Sequence, residues 1–183
     1  IEPLSPAVIT VGAFHSGTKH NIISDRAELQ LTVRANDEDT RAQLLAAIER
    51  VAVNIGKAHG LPDELPVQVT VSEGTPVTNN DPKLARRLNS VMQRDLGEDV
   101  LIPWQQRGMG AEDFAYFVAQ EYGVPGYYFA VGGTPQAAFD AAEAGGPPVP
   151  SHHSPLFKVA PRESVTLGTE AMVAAVLDLA PAE

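Results

Sequence analysis

Apolar and polar positions alternate over 27–34, where Ala27, Leu29, Leu31 and Val33 are separated by Glu28, Gln30, Thr32 and Arg34. A period of two is that of a strand with one face toward a core. The β-rich run 7–11, bounded by Pro6 and Gly12, predicts a strand before it, with a turn region around Gly17 between the two. The period then lengthens. Leu44, Leu45, Ile48, Val51, Ala52 and Ile55 share one face of a helix predicted over 38–58. Asn36 or Asp37 can cap it, Glu38 and Asp39 suit its positive end, and Lys57 with Gly60 marks the stop. Val67, Val69 and Val71 alternate again as a strand, giving the order β-β-α-β. One helix covers a two-layer sheet poorly, and a further strand and helix upstream would complete βαββαβ, a ferredoxin-like module.

From Thr75 the character changes, which places a domain boundary at 73–80 and divides the chain into segments 1–74 and 75–183. Asp81-Pro82 opens a helix to about Leu96, with Gly97 at its exit. A short strand is predicted near 99–104, then a helix after Gly108-Met109-Gly110 carrying Glu112, Asp113, Phe114 and Phe117. Tyr127 to Val131 predicts a buried strand, and the Ala, Gly and Pro of 134–152 predict a surface loop. Pro161 opens a last helix on which Val165, Ala171, Met172, Ala175, Val176 and Leu179 can face a core. The alternation predicts the α/β class, with too few strands in the second segment for a self-contained sheet.

Composition narrows the function classes. The 183 residues, 44% hydrophobic, suffice for a core, and a net charge of −10 argues against nucleic acid and anionic membrane. No apolar run approaches the ~18 residues of a membrane span. The absence of cysteine excludes disulfides and thiolate chemistry without fixing a compartment. No serine nucleophile arrangement, phosphate loop or dinucleotide fingerprint is present. Ile1-Glu2-Pro3 is not a natural start, so a processed, cleaved or subcloned segment is expected.

Four residues stand out chemically. Arg34 falls on the polar face of its strand and Asn21, 13 residues earlier, in the turn that feeds it. A guanidinium binds a carboxylate through two parallel hydrogen bonds, and an amide can complete the recognition. The bland alternative is a surface arginine paired with an acid and an asparagine satisfying a turn. His153 lies in His-Ser-Pro-x-Phe after a Pro-rich loop. Neutral imidazole is a common ligand for zinc-like metals, but a site needs three or more convergent ligands. In a strand His152 and His153 would point to opposite faces, so one alone is assigned as a ligand. Glu112, in Gly-x-Gly-x-Glu-Asp-Phe, sits where the helix dipole alone would favour an acid. His15 and His20 flank the glycine turn, and His59 at a helix end is most simply a dipole partner.

Asn21-Ile22-Ile23-Ser24-Asp25 with Thr32-Val33-Arg34, Gly108-Met109-Gly110-Ala111-Glu112-Asp113-Phe114 and His153-Ser154-Pro155-Leu156-Phe157 together resemble segments of the dinuclear-metal amidohydrolases. That family includes hippurate hydrolase, N-acyl-amino-acid amidohydrolases and auxin-conjugate hydrolases. Ser24 stands where the family usually has proline. The resemblance covers Val8 to about Ala180 and lacks the family's early metal-binding region, so it implies the C-terminal part of such an enzyme. It implies a partial ferredoxin-like lid and dimerisation domain followed by the end of an α/β catalytic domain. Arg34 and Asn21 would then bind a substrate carboxylate, Glu112 would line the pocket, and His153 would ligate one of two divalent ions, zinc or manganese. The general base and the other ligands would lie upstream. The implied reaction is hydrolysis of N-acyl or N-aminoacyl amino acids by metal-activated water, with a homodimer formed through the lid. The chain alone would be inactive unless the missing N-terminal part is bound. The alternative is a non-catalytic ferredoxin-like module that dimerises or binds a carboxylate.

Overall fold

Cap chemistry and periodicity place three long helices where the sequence predicts them in the computed structural model, which describes residues 4–72, 74–103, 106 and 108–180. The described residues fall into two compact units. One takes in those up to Thr78 together with Gln106–Val124, the other those from Asn79 to 103 and from Pro125 to 180.

In the first unit, strands β1 (Ala7–Ser16) and β2 (Ala27–Ala35) form an antiparallel hairpin. The register runs from Ala7 opposite Ala35 to Ser16 opposite Ala27, with Gly12 as the extra residue of a bulge between Val11 and Ala13. Helix α1 (Glu38–Ala58) packs on β2. Of the two cap candidates Asp37 is the one used, its Oδ1 accepting from the Thr40 amide at 2.7 Å. The Asp37 carboxyl is held below its ordinary range, chiefly by these Thr40 hydrogen bonds. Such a depressed acid contributes stability above its unfolded value, about pH 3.9, that is lost as pH falls through the folded value. Asp37→Asn keeps a cap acceptor and should lose less melting temperature between about pH 6 and pH 3 than the parent, whereas Asp37→Ala should melt lower throughout. Thermal scans across that range test this.

Leu44 and Thr40 are buried, Leu45, Ile48 and Ala52 half-buried, but Val51 and Ile55 on the expected core face are more than half exposed. Val67–Val71 is the first element to depart from expectation: these residues form no ladder. Alternation makes a chain extended, but a strand also needs an edge to pair with. β2 and Val69–Ser72 line one cleft of about 640 Å³ together with Leu45 and Ile48. The predicted helix around Glu112 is a short 3₁₀ turn, Asp113–Tyr116, without a side-chain cap. The aromatic and β-branched residues that follow propagate a helix poorly.

In the second unit, α2 (Pro82–Leu96) starts at Asp81, whose Oδ1 accepts from the amides of Lys83 and Leu84 at 3.0 and 2.7 Å. It packs against α4 (Pro161–Leu179). Leu88, Val91 and Met92 are buried from one helix, and Ala171, Ala174 and Ala175 from the other. Small alanines let two backbones approach closely. Arg87 fastens the pair, donating through Nε to Asp178 Oδ2 at 2.6 Å and through an Nη to the Asp178 carbonyl at 2.8 Å. Leu88 is 3% exposed, so Leu88→Ala should cost about 2–5 kcal/mol, read as a fall in the denaturant midpoint of this unit.

Other expectations fail here. Val165, Met172, Val176 and Leu179 of α4 are about half exposed or more, because two helices cover only one stripe of each other. Tyr127–Val131 is neither buried nor in a ladder. Asn80 stands in for a neighbouring strand, its amide bonding both the Tyr128 N–H (2.7 Å) and carbonyl (2.8 Å). The 99–104 strand is replaced by a 3₁₀ turn at Glu98–Val100, and Trp104 lies outside the described residues. The predicted loop 134–152 contains helix α3 (Gln136–Glu143), an Ala-rich run that ends before Gly145 at φ 88°. The α/β class stands.

Candidate functional site

β2 runs along the cleft of about 640 Å³, which Arg34, Asn36, Gln106, Met109, Gly110 and Ala111 help to line. An Arg34 Nη donates to the Met109 carbonyl. None of the ion pairs among the described residues involves Arg34. A guanidinium has five N–H donors, so one carbonyl leaves capacity for a carboxylate's parallel pair of bonds. Two positions further on, just past the end of β2, Asn36 reaches the same segment. Its Nδ2 donates to Gln106 Oε1 at 2.9 Å, and Gln106 Nε2 donates back to Asn36 Oδ1 at 3.1 Å and to the Gly108 carbonyl at 3.0 Å. Sequence reasoning considered Asn36 only as a helix cap and passed over Gln106.

Glu112 directly follows the cleft-lining residues Gly110 and Ala111, in extended backbone just before the Asp113–Tyr116 turn. Asn21 is elsewhere. It lies in the loop beyond the Ser16–Ala27 pair, whereas Arg34 sits opposite Val8, seven residues on from Ala27. At about 3.3 Å per residue that is roughly 23 Å along the strand. Asn21 is not among the residues lining this cleft, nor a second one of about 540 Å³ bounded by His15–Thr18 and Ile22–Arg26 at the loop end.

The hairpin's own histidines also divide. His15 belongs to β1 and faces Glu28 across the ladder, while His20 is in the exposed turn. The Glu28 carboxyl is held low by a hydrogen bond from Gln30, then by Arg26. His59 is the residue that closes α1.

In the second unit His153 is exposed, within a turn rather than a strand. The Ser154 amide donates to the Ser151 carbonyl at 2.9 Å, and the Phe157 amide to the Ser154 carbonyl at 3.0 Å. The alternation assumed for the two histidines therefore does not hold: their rings lie side by side, centroids 4.5 Å apart. No group of three His, Cys, Asp or Glu side chains that could hold a metal occurs among the described residues. The chemistry of His153 suits one metal ligand, but the described residues do not on their own make a metal centre.

Residues 2–60 match the peptidase dimerisation domain. The chain is 33% identical over 132 residues to thermostable carboxypeptidase 2 of Saccharolobus solfataricus, covering 72% of this chain and 31% of the relative. It is 31% identical over 166 residues to the amidohydrolase-named protein YhaA of Bacillus subtilis, covering 91% and 38%. It is 32% identical over 126 residues to an N-acetyldiaminopimelate deacetylase of Streptococcus pneumoniae, covering 68% and 32%. A crystal structure from methicillin-resistant Staphylococcus aureus, described as an aminohydrolase, superposes over 97% of this chain and 40% of its own, with TM-score 0.71 and 24% identity, which speaks for the fold. The chain belongs to this family of peptidases and amidohydrolases and spans about a third of the length of the curated relatives it matches.

Proposed function

We propose that the full-length protein carrying this chain is a metal-dependent amidohydrolase that releases an amino acid from an N-acyl or N-aminoacyl conjugate. The observation that carries the reading is Arg34. It is a cleft-lining guanidinium with no carboxylate partner among the described residues, in a chain whose relatives are named carboxypeptidase and N-acetyldiaminopimelate deacetylase. A product amino acid carries a free carboxylate, and holding it fixes the substrate at a point remote from the scissile amide. In this reading Arg34 anchors the carboxylate and Glu112 borders the same cleft. Asn21 acts from the loop end of the hairpin rather than beside Arg34.

His153 supplies one ligand to a metal centre whose other ligands lie outside the described residues. The metal, zinc or manganese, polarises the carbonyl and lowers the pKa of attacking water when bound. Residues 1–74 form a lid that pairs two copies, and 75–183 close the catalytic domain. The test is release of free amino acid by the full-length protein from a panel of N-acyl amino acids, before and after chelation. Chelator-sensitive release supports the reading. Carboxylate binding without hydrolysis in metal-loaded protein would leave the non-catalytic module in its place.

A further inference from the structure

We infer that the reciprocal amide pair Asn36–Gln106 is a positioning device for Arg34, setting how tightly the cleft holds a carboxylate. The inference rests on the carboxylate reading above. Asn36 lies one residue past the end of β2 and two beyond Arg34, and both reach the segment around Met109. Asn36 bonds Gln106 in both directions, at 2.9 and 3.1 Å, while Arg34 donates to the Met109 carbonyl. Gln106 also holds the Gly108 carbonyl at 3.0 Å, which ties the residue before Met109 to the amide pair. A glycine at 108 would otherwise leave the Met109 carbonyl freer to wander.

The chemistry of the pair fits a positioning role. Two primary amides facing each other satisfy one donor and one acceptor on each side without charge, so they add no rival anion beside the guanidinium. The side chain of Arg34 is long and loses rotamer freedom when it binds. A fixed carbonyl at Met109 takes one of its N–H groups and so sets the plane in which the remaining donors are offered. Removing Asn36 or Gln106 leaves every guanidinium donor in place but frees the carbonyl that orients it.

The experiment uses the 183-residue chain, with hippurate and hippuramide as probes that differ only in carboxylate against carboxamide. Binding is followed by NMR at the Arg34 Nε–H resonance, with melting temperature recorded for each variant. Asn36→Ala and Gln106→Ala are each expected to weaken hippurate about three- to tenfold, the effect of one or two neutral hydrogen bonds. Hippuramide should be unaffected, and the double variant should be no weaker than either single one, as for residues acting as a unit. Equal losses for both probes, or additive losses, would show a merely structural contact and overturn the inference. If hippurate moves the Arg34 resonance equally well in parent and variants, the positioning role fails while the carboxylate reading survives. If it leaves Arg34 unmoved in the parent chain, the carboxylate reading falls and takes this inference with it.

Discussion

Arg34→Ala in the full-length enzyme is expected to raise KM for N-acyl amino acids by roughly 10–100-fold while kcat changes little. The net loss of a charge-assisted contact to a carboxylate is about 1.5–3 kcal/mol, and roughly 1.4 kcal/mol is a factor of ten in binding. The contact is remote from the reacting amide in this reading, so it strengthens ground state and transition state alike, and the loss appears in KM. Substrates whose carboxylate is esterified or amidated should be handled equally by parent and variant. Arg34→Lys keeps the charge but not the fork of donors, and should recover only part of the affinity. Steady-state kinetics on an acid and its amide decide the matter. Equal KM values for the acid in parent and variant would remove Arg34 from the site.

Helices were readable from the chain because their determinants are local. Asp37 and Asp81 each accept from amides two or three residues on, and Pro82 and Pro161 stand at first helical positions, so the starts of α1, α2 and α4 follow from sequence alone. Strands are different. Val67–Val71 alternates and Tyr127–Val131 is a short apolar run, but a ladder is a property of two segments, and pattern says nothing about whether the second is present. Composition misled at 134–152: prolines and glycines suggested a loop, while the alanines between them are the best helix formers and make α3.

The site was legible only in part. The polar face of β2 announced Arg34 as solvent- or cleft-facing, and the structure places it in a cleft. The spacing of Asn21 and Arg34 carried no distance information, because 13 residues can fold back on themselves or run nearly straight. Most of them here run along β2, which keeps the two side chains toward opposite ends of the hairpin. Gln106 was invisible because its partner is 70 residues away and nothing local marks either amide.

His153→Ala in the full-length protein should lower bound metal and amide hydrolysis together. Changing a residue that merely orients a metal ligand costs roughly 10–100-fold in metal affinity, and loss of a ligand itself should meet or exceed that. His152→Ala is the informative control. The two rings stand 4.5 Å apart on one exposed turn, so any general damage to that turn would strike both variants alike. The expected outcome is asymmetric: metal measured per protomer by mass spectrometry falls for His153→Ala and stays for His152→Ala, with hydrolysis following the metal. A reversed asymmetry would transfer the ligand role to His152, which the side-by-side rings permit and a strand would not have. Metal retained in both variants would rule this turn out of the metal centre. His153→Gln sharpens the result, since an amide preserves bulk and hydrogen bonding but is a poor ligand for zinc-like ions. Its loss of metal would trace the effect to imidazole coordination and not to the packing of the turn.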